Sequence, residues 1–153
     1  MQDRNSSVPI LVADDSEDDC RLLQRAFRDA KIGNPLVFVH DGQAALEALH
    51  GAAEAPGGLP PGLLLLDLKM PRLDGHQTLQ SIRADPRLAL LPVLVMSTSD
   101  YSEDVLACYR LGANAVMVKP FAYEEFLDLT NMLKRFWLDH ALLPINYTSK
   151  RGA

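Results

Sequence analysis

Gly62-Leu63-Leu64-Leu65-Leu66-Asp67-Leu68-Lys69-Met70-Pro71 is the stretch whose reading decides the fold. Four consecutive leucines between a glycine and a proline turn are long enough for a strand and too short for a helix, so they read as a strand buried on both faces. Asp67 stands at the carboxyl end of that run. A buried charge is costly unless something compensates it, which marks Asp67 for chemistry rather than for packing.

Working outward, the chain alternates strand and helix. Val8 to Ala13 is a short apolar run ending in Asp14-Asp15. Ser16 is placed to cap a helix, with Asp19 in a capping-box-like position and Cys20, Leu23 and Phe27 on one face, until Gly33 stops it. Leu36 to Val39 is a second strand. Asp41-Gly42 opens a helix through Ala45, Leu46 and Leu49, and Gly51 starts a Gly/Pro/Ala-rich connecting loop that runs to Gly62. A third helix runs from about Gly75 to before Pro86, with Leu79 and Ile82 inward. Val93 to Met96 is the fourth strand, followed by Ser97-Thr98-Ser99. A helix capped by Asp100 ends at Gly112. Ala115 to Val118 is the fifth strand, and a last helix spans Tyr123 to Leu138.

Five such units imply a parallel sheet with helices on both faces, because right-handed crossovers place them there. Ligands of these sheets bind beyond the carboxyl ends of the strands, where the strand order reverses. With the order 2-1-3-4-5, the strand ends bring Asp14, Asp15, Asp67, Ser97 and Lys119 to one edge.

Composition narrows the function. At 153 residues and 48% apolar content the chain is expected to form one domain over residues 8–138, with residues 1–7 disordered and 139–153 a tail too short for an output domain. A net charge of −5, with Arg83/Arg87 and Lys134/Arg135 read as solvated helix faces, argues against nucleic acid as a partner. The polar start lacks a signal-peptide core and no run is long enough to span a bilayer, so a cytoplasmic protein without membrane contact is expected. Cys20 and Cys108 read as small reduced core residues. His40, His50, His76 and His140 have no metal-like spacing and receive no role.

The convergence dictates the chemistry. Three carboxylates brought together repel by about 4 kcal/mol per pair at ~4 Å and an effective dielectric of ~20. Lys119 supplies one compensating charge, and a hard divalent cation is the natural second. Mg2+ suits Asp15 and Asp67 as direct ligands, the Lys69 carbonyl as a third, and Asp14 acting mainly through water. A carboxylate at such an edge can attack an activated phosphorus and form an aspartyl phosphate, which makes Asp67 the nucleophile. Lys119 and the Ser97 hydroxyl are placed to accept charge on the phosphoryl oxygens. A single strand-end Asp is more often a turn or helix cap, so the weight lies on the combination.

Asp14-Asp15, Asp67 in Asp-Leu-Lys-Met-Pro followed by Asp74-Gly75, Ser97 after an apolar strand, and Lys119-Pro120-Phe121 resemble the signature of the receiver domains of two-component response regulators. The likeness covers residues 8–138 and implies the flavodoxin-like receiver fold. It also implies a sensor histidine kinase as phosphodonor to Asp67 and a cis Lys119-Pro120 bond. The Ser-Thr-Ser segment, with a last helix running through Phe136-Trp137-Leu138 into a Leu-Pro tail, is similar more narrowly to small stand-alone regulators paired with phytochrome-type kinases, the bacteriophytochromes among them.

Two features depart from the family. Receivers commonly carry an aromatic residue three positions before the lysine, where this chain has Val116, leaving Tyr101 or Tyr109 as substitutes. Thr98 and Ser99 adjoin Ser97, so a register shift of one residue would name Thr98 instead. The last helix shows a stripe of Phe126, Leu129, Met132, Leu133 and Phe136 that can cover the sheet. Leu127, Trp137 and Leu138, with Leu142, Leu143 and Ile145, fall outside it, and an apolar patch of this kind predicts a homodimer that uses the tail as an arm. Two other classes stay open: a haloacid-dehalogenase-like phosphatase, disfavoured because Asp67-Leu68-Lys69 replaces Asp-x-Asp, and a receiver-like binding module that is not phosphorylated.

Overall fold

The computed structural model describes residues 2–54, 60–98 and 101–148. Strands β1 (Ile10–Ala13), β2 (Leu36–Val39), β3 (Leu63–Asp67), β4 (Val93–Ser97) and β5 (Ala115–Val118) form one parallel sheet in the order β2-β1-β3-β4-β5. The three inner strands are buried along their whole length, as the leucine run requires, whereas edge strands β2 and β5 are only partly covered.

Alternate residues of the inner strands feed two cores. Ile10, Val12, Leu63, Leu65, Leu94 and Met96 pack against Leu23 and Phe27 of α1 (Glu17–Asp29) and Phe126 and Leu129 of α5 (Tyr123–Met132). On the other face, Leu11, Ala13, Leu64, Leu66, Val93 and Val95 meet Ala45 and Leu49 of α2 (Gly42–Glu54), Leu79 and Ile82 of α3 (Gly75–Ala84), and Cys108 of α4 (Ser102–Arg110). Burying each leucine contributes ~1.5–3 kcal/mol, so the four leucines of β3 tie both layers to one strand. Cys20 and Cys108 are both buried free thiols.

Several element boundaries fall elsewhere than the sequence suggests. β1 starts at Ile10, since Pro9 has no N–H to give the ladder. α1 stops at Asp29 because Lys31 takes the left-handed conformation at φ 60°, and the Ile32 N–H closes the end on the Phe27 carbonyl. α2 runs through Gly51 to Glu54, where Ala48, Ala52 and Ala53 offset the ~1 kcal/mol cost of a helical glycine. Asp74 caps α3 in a capping box with Gln77. The expected cap Asp100 lies outside the described residues, as does Ser99; α4 begins after Tyr101. Arg83 is a brace rather than a solvated charge: it donates to the carbonyls of Ala89, Leu91 and Gly112 and to Asn114.

Beyond Met132 the last helix continues to Leu138 as a π-helix, with Asp139 N–H bonded to Lys134 O (2.8 Å) and Ala141 N–H to Phe136 O (2.7 Å). The wider turn shifts the buried stripe. Leu133 and Leu138 are buried, while Phe136, inward on an α-helical wheel, is exposed; Met132, the last residue of α5 and also expected in the stripe, is exposed as well.

Asn5 and the described part of the tail are joined by hydrogen bonds, so the segment before β1 has defined structure where the sequence suggests disorder. Residues Gln2–Asn5 form a 3-10 helix. The buried Asn5 side chain donates to the carbonyls of Trp137 (3.3 Å), Leu138 (3.0 Å) and Ala141 (3.0 Å). Its Oδ1 accepts from Asn146 Nδ2 (2.7 Å) in the short helix α6 (Ile145–Thr148). Asn34 Nδ2 donates to the Asn5 and Val8 carbonyls (2.6 and 2.9 Å). Leu143 is fully buried against the same chain. Among the described residues, no helix is long and apolar enough to cross a membrane.

Candidate functional site

The sheet register assembles the site. Ala13 pairs with Leu66, so Asp14 leaves β1 beside Asp67, and Ser97 pairs with Val118, so Lys119 leaves β5 beside the end of β4. The Lys119 N–H donates to the Ser97 carbonyl at 2.8 Å. Gly75 is needed next to this edge because a Cβ there would stand 2.6 Å from both the Asp67 carbonyl oxygen and Leu68 Cα.

Asp14 and Asp67 are buried and Asp15 is exposed, and carboxylate oxygens of the three lie within 4.8 Å of one another. Lys119 reaches across the sheet to them. Its Nζ lies 2.9 Å from Asp14 Oδ2, 3.1 Å from Asp67 Oδ2 and 3.0 Å from Asp19 Oδ2, and its side chain is 7% exposed. Asp14 Oδ1 accepts the Ser16 N–H (2.9 Å) and Asp67 Oδ1 the Lys69 N–H (3.3 Å). The Lys119-Pro120 bond is not cis, as no peptide bond of the described residues is. The lysine reaches its partners from a trans bond, the form favoured by ~0.5–1 kcal/mol.

Charge is unevenly balanced here. Burial pushes the Asp67 carboxyl up to about 6; Lys119 opposes the rise and Asp14 adds to it. Burial works against the Lys119 ammonium, yet Asp14, Asp19 and Asp67 outweigh it and raise its pKa. The Cys20 thiol beneath the site is pushed up to about 12 by burial and by Asp14, which keeps it protonated and unreactive. One ammonium among buried and half-buried carboxylates leaves a surplus of negative charge on hard oxygen donors. That donor set fits a divalent cation at Asp14, Asp15 and Asp67.

Beside these groups a cleft of about 560 Å³ opens between Asp15, Lys69, Asp74, His76, Ser97 and Asp104. Ser97 is buried and lines the cleft, whereas Thr98 is exposed and does not. The structure therefore brings Asp14, Asp15, Asp67, Lys69, Ser97 and Lys119 to one edge. Sequence reasoning missed Asp19 as a partner of Lys119, because its position in the first turn of α1 already had an explanation as a cap. Of the tyrosines considered as substitutes for the missing aromatic, Tyr101 is exposed. The Tyr109 hydroxyl accepts the Val116 N–H at 3.1 Å.

Comparison with known proteins agrees with this geometry. Residues 10–131 match the family model described as "Response regulator receiver domain". The response regulator Rcp1 of Synechocystis sp. is 34% identical over 140 residues, 92% of this chain and 95% of Rcp1. The crystal structure of the Mn2+-bound form of Rcp1 superimposes with a TM-score of 0.79 over 90% of this chain and 99% of that one, at 34% identity. The phosphorylated cyanobacterial phytochrome response regulator RcpA superimposes with a TM-score of 0.82 at 33% identity, again over 90% and 99%.

Proposed function

Because the chain belongs to the response regulator receiver family, we propose that it accepts a phosphoryl group on Asp67 from the phosphohistidine of a sensor histidine kinase of the phytochrome type. The observation that carries this reading is Lys119 Nζ bridging Asp14 and Asp67 at 2.9 and 3.1 Å, with Asp15 alongside.

In the transfer, an Asp67 carboxylate oxygen forms the new O–P bond as the P–N bond breaks and its electron pair returns to the imidazole. The carboxylate is the nucleophile without losing a proton, so no general base is required. Lys119 offers its ammonium to the phosphoryl oxygens, and Ser97 offers its hydroxyl from the end of β4. Asp14, Asp15, Asp67 and the Lys69 carbonyl would hold Mg2+, which would supply positive charge where a buried carboxylate meets an anionic donor. Signal output then passes through protein contacts in the cytoplasm. Pairing with a second copy belongs to the same reading, and the exposed apolar residues available for it include Val118, Phe121 and Phe136 as well as Leu142 and Tyr147 of the tail.

Incubating the full chain with Mg2+ and acetyl phosphate tests the acceptor. We expect one covalent phosphoryl group by intact-mass spectrometry, absent from Asp67→Asn. Continuous phosphate release without an adduct would mark a phosphatase, and no uptake a binding module.

A further inference from the structure

The four acids around this edge do not share one task. Asp15 joins Asp14 and Asp67 in the group whose oxygens could hold a cation, and Asp19 is not part of that group. Asp19 instead has its Oδ2 3.0 Å from Lys119 Nζ, while Asp14 and Asp67 touch both the lysine and the cation position.

Local structure explains how Asp19 is free to do this. In a capping box the third residue of the helix turns its side chain back to the N–H of the cap. Here the Ser16 N–H is taken by Asp14 Oδ1 at 2.9 Å, and Ser16 Oγ accepts the Asp19 N–H at 3.2 Å. The Asp19 backbone is thus fastened while its carboxylate projects to Lys119. The amino end of α1 also favours negative charge at that position.

An ammonium has three N–H donors, and Lys119 has three carboxylate partners. Only one of those partners is consumed in the reaction: once Asp67 carries the phosphoryl group, its carboxylate charge is gone and the phosphoryl oxygens become the acceptor on that side. The other two contacts stay in place. We infer that Asp19 is a positioning residue for phosphoryl transfer, fixing Lys119 Nζ together with Asp14 so that the third N–H aims at Asp67. Without Asp19 the ammonium keeps the buried Asp14 and Asp67 and loses its most exposed partner, at 26% against 4% and 5%, and with it the contact that holds it on the solvent side.

This inference rests on Asp67 as the acceptor, and the experiment separates the two. Full-length wild type, Asp19→Asn and Asp19→Ala are phosphorylated with acetyl phosphate at saturating Mg2+, and Mg2+ affinity is measured by calorimetry. Asp19→Ala should slow uptake roughly tenfold, because misplacing a charge-stabilising group costs rate without removing it. Asp19→Asn, which keeps an oxygen acceptor in place, should stay within about threefold of wild type. Mg2+ affinity should change less than about twofold in both, since Asp19 is outside the cation group. Both variants lose the same charge from the first turn of α1, so equal slowing in the two would assign the effect to the helix and overturn the inference. Wild-type uptake by Asp19→Ala would overturn it as well. A wild type that takes up no phosphate would overturn the Asp67 assignment first, and this inference with it.

Discussion

Two polar clusters are buried at opposite ends of the same sheet, and they are built on opposite terms. At the carboxyl ends of the strands, Asp14 and Asp67 meet Lys119 with Asp15 and Asp19 nearby, and Asp67 is held with its pKa near 6. At the amino ends, Asn5, Asn34 and Asn146 carry no charge and find acceptors and donors in one another and in backbone carbonyls. Among the described residues, no buried side-chain nitrogen or oxygen is left without a partner. The asparagine cluster is settled within the chain, while the acidic cluster is balanced only by something added. One end is built to hold and the other to react.

Breaking the acidic cluster at its cation should have the largest effect. Lys119→Ala leaves Asp14 and Asp67 buried without their counter-charge, and the expected loss is about 3–5 kcal/mol in urea unfolding at neutral pH without metal. Part of that loss should return on adding Mg2+, because a ligand that binds only the folded state stabilises it. The neutral cluster should show no such response to the ion.

Removing an acid should do the reverse. A folded-state pKa of about 6 lies above the ordinary carboxylate value of 3.8, so the folded chain binds this proton more tightly than the unfolded chain. Stability from this group is therefore greatest at low pH and is lost as pH rises through about 6. Asp67→Asn should gain up to ~3 kcal/mol over wild type at pH 7.5 without metal, and the gain should shrink between pH 6 and 4. A pH-independent difference would show that Asp67 is not strained by its charge.

A smaller effect is expected at the other end. Asn5→Ala leaves the Trp137, Leu138 and Ala141 carbonyls and the Asn146 amide without their shared partner. The expected cost is about 2 kcal/mol, independent of Mg2+ and of pH between 5 and 8. Limited proteolysis should then cut after Leu138 faster than in wild type, because the tail loses its anchor.

Much of the reactive end could be read from residue types alone. Apolar runs ending in acids, and an apolar strand ending in Lys119, are local patterns, and a parallel sheet in this order converts them into one edge. The two-faced core followed from the same patterns, whereas the strand order 2-1-3-4-5 entered as a condition that the sheet meets. Contacts that join distant segments left no such mark. Asn5 is an ordinary polar residue in a polar start, and only the path of the last helix brings the carbonyls of Trp137 and Ala141 to it. That path depends on the π-helix from Leu133 to Leu138, which an α-helical wheel cannot anticipate, so the wheel places Phe136 inward although it is exposed. Asp19 was hidden differently: its backbone does serve the cap, and only geometry reveals the second use of its side chain.

The tyrosine on α4 has one more consequence. β5 is an outer strand of the sheet, and the Tyr109 hydroxyl occupies the Val116 amide there. Outer strands are templates on which a foreign chain can add itself, and natural proteins blunt them by covering bare amides. With Val118 and Phe121 exposed close by, this phenol leaves one bare amide fewer on the outer strand for a foreign chain to pair with.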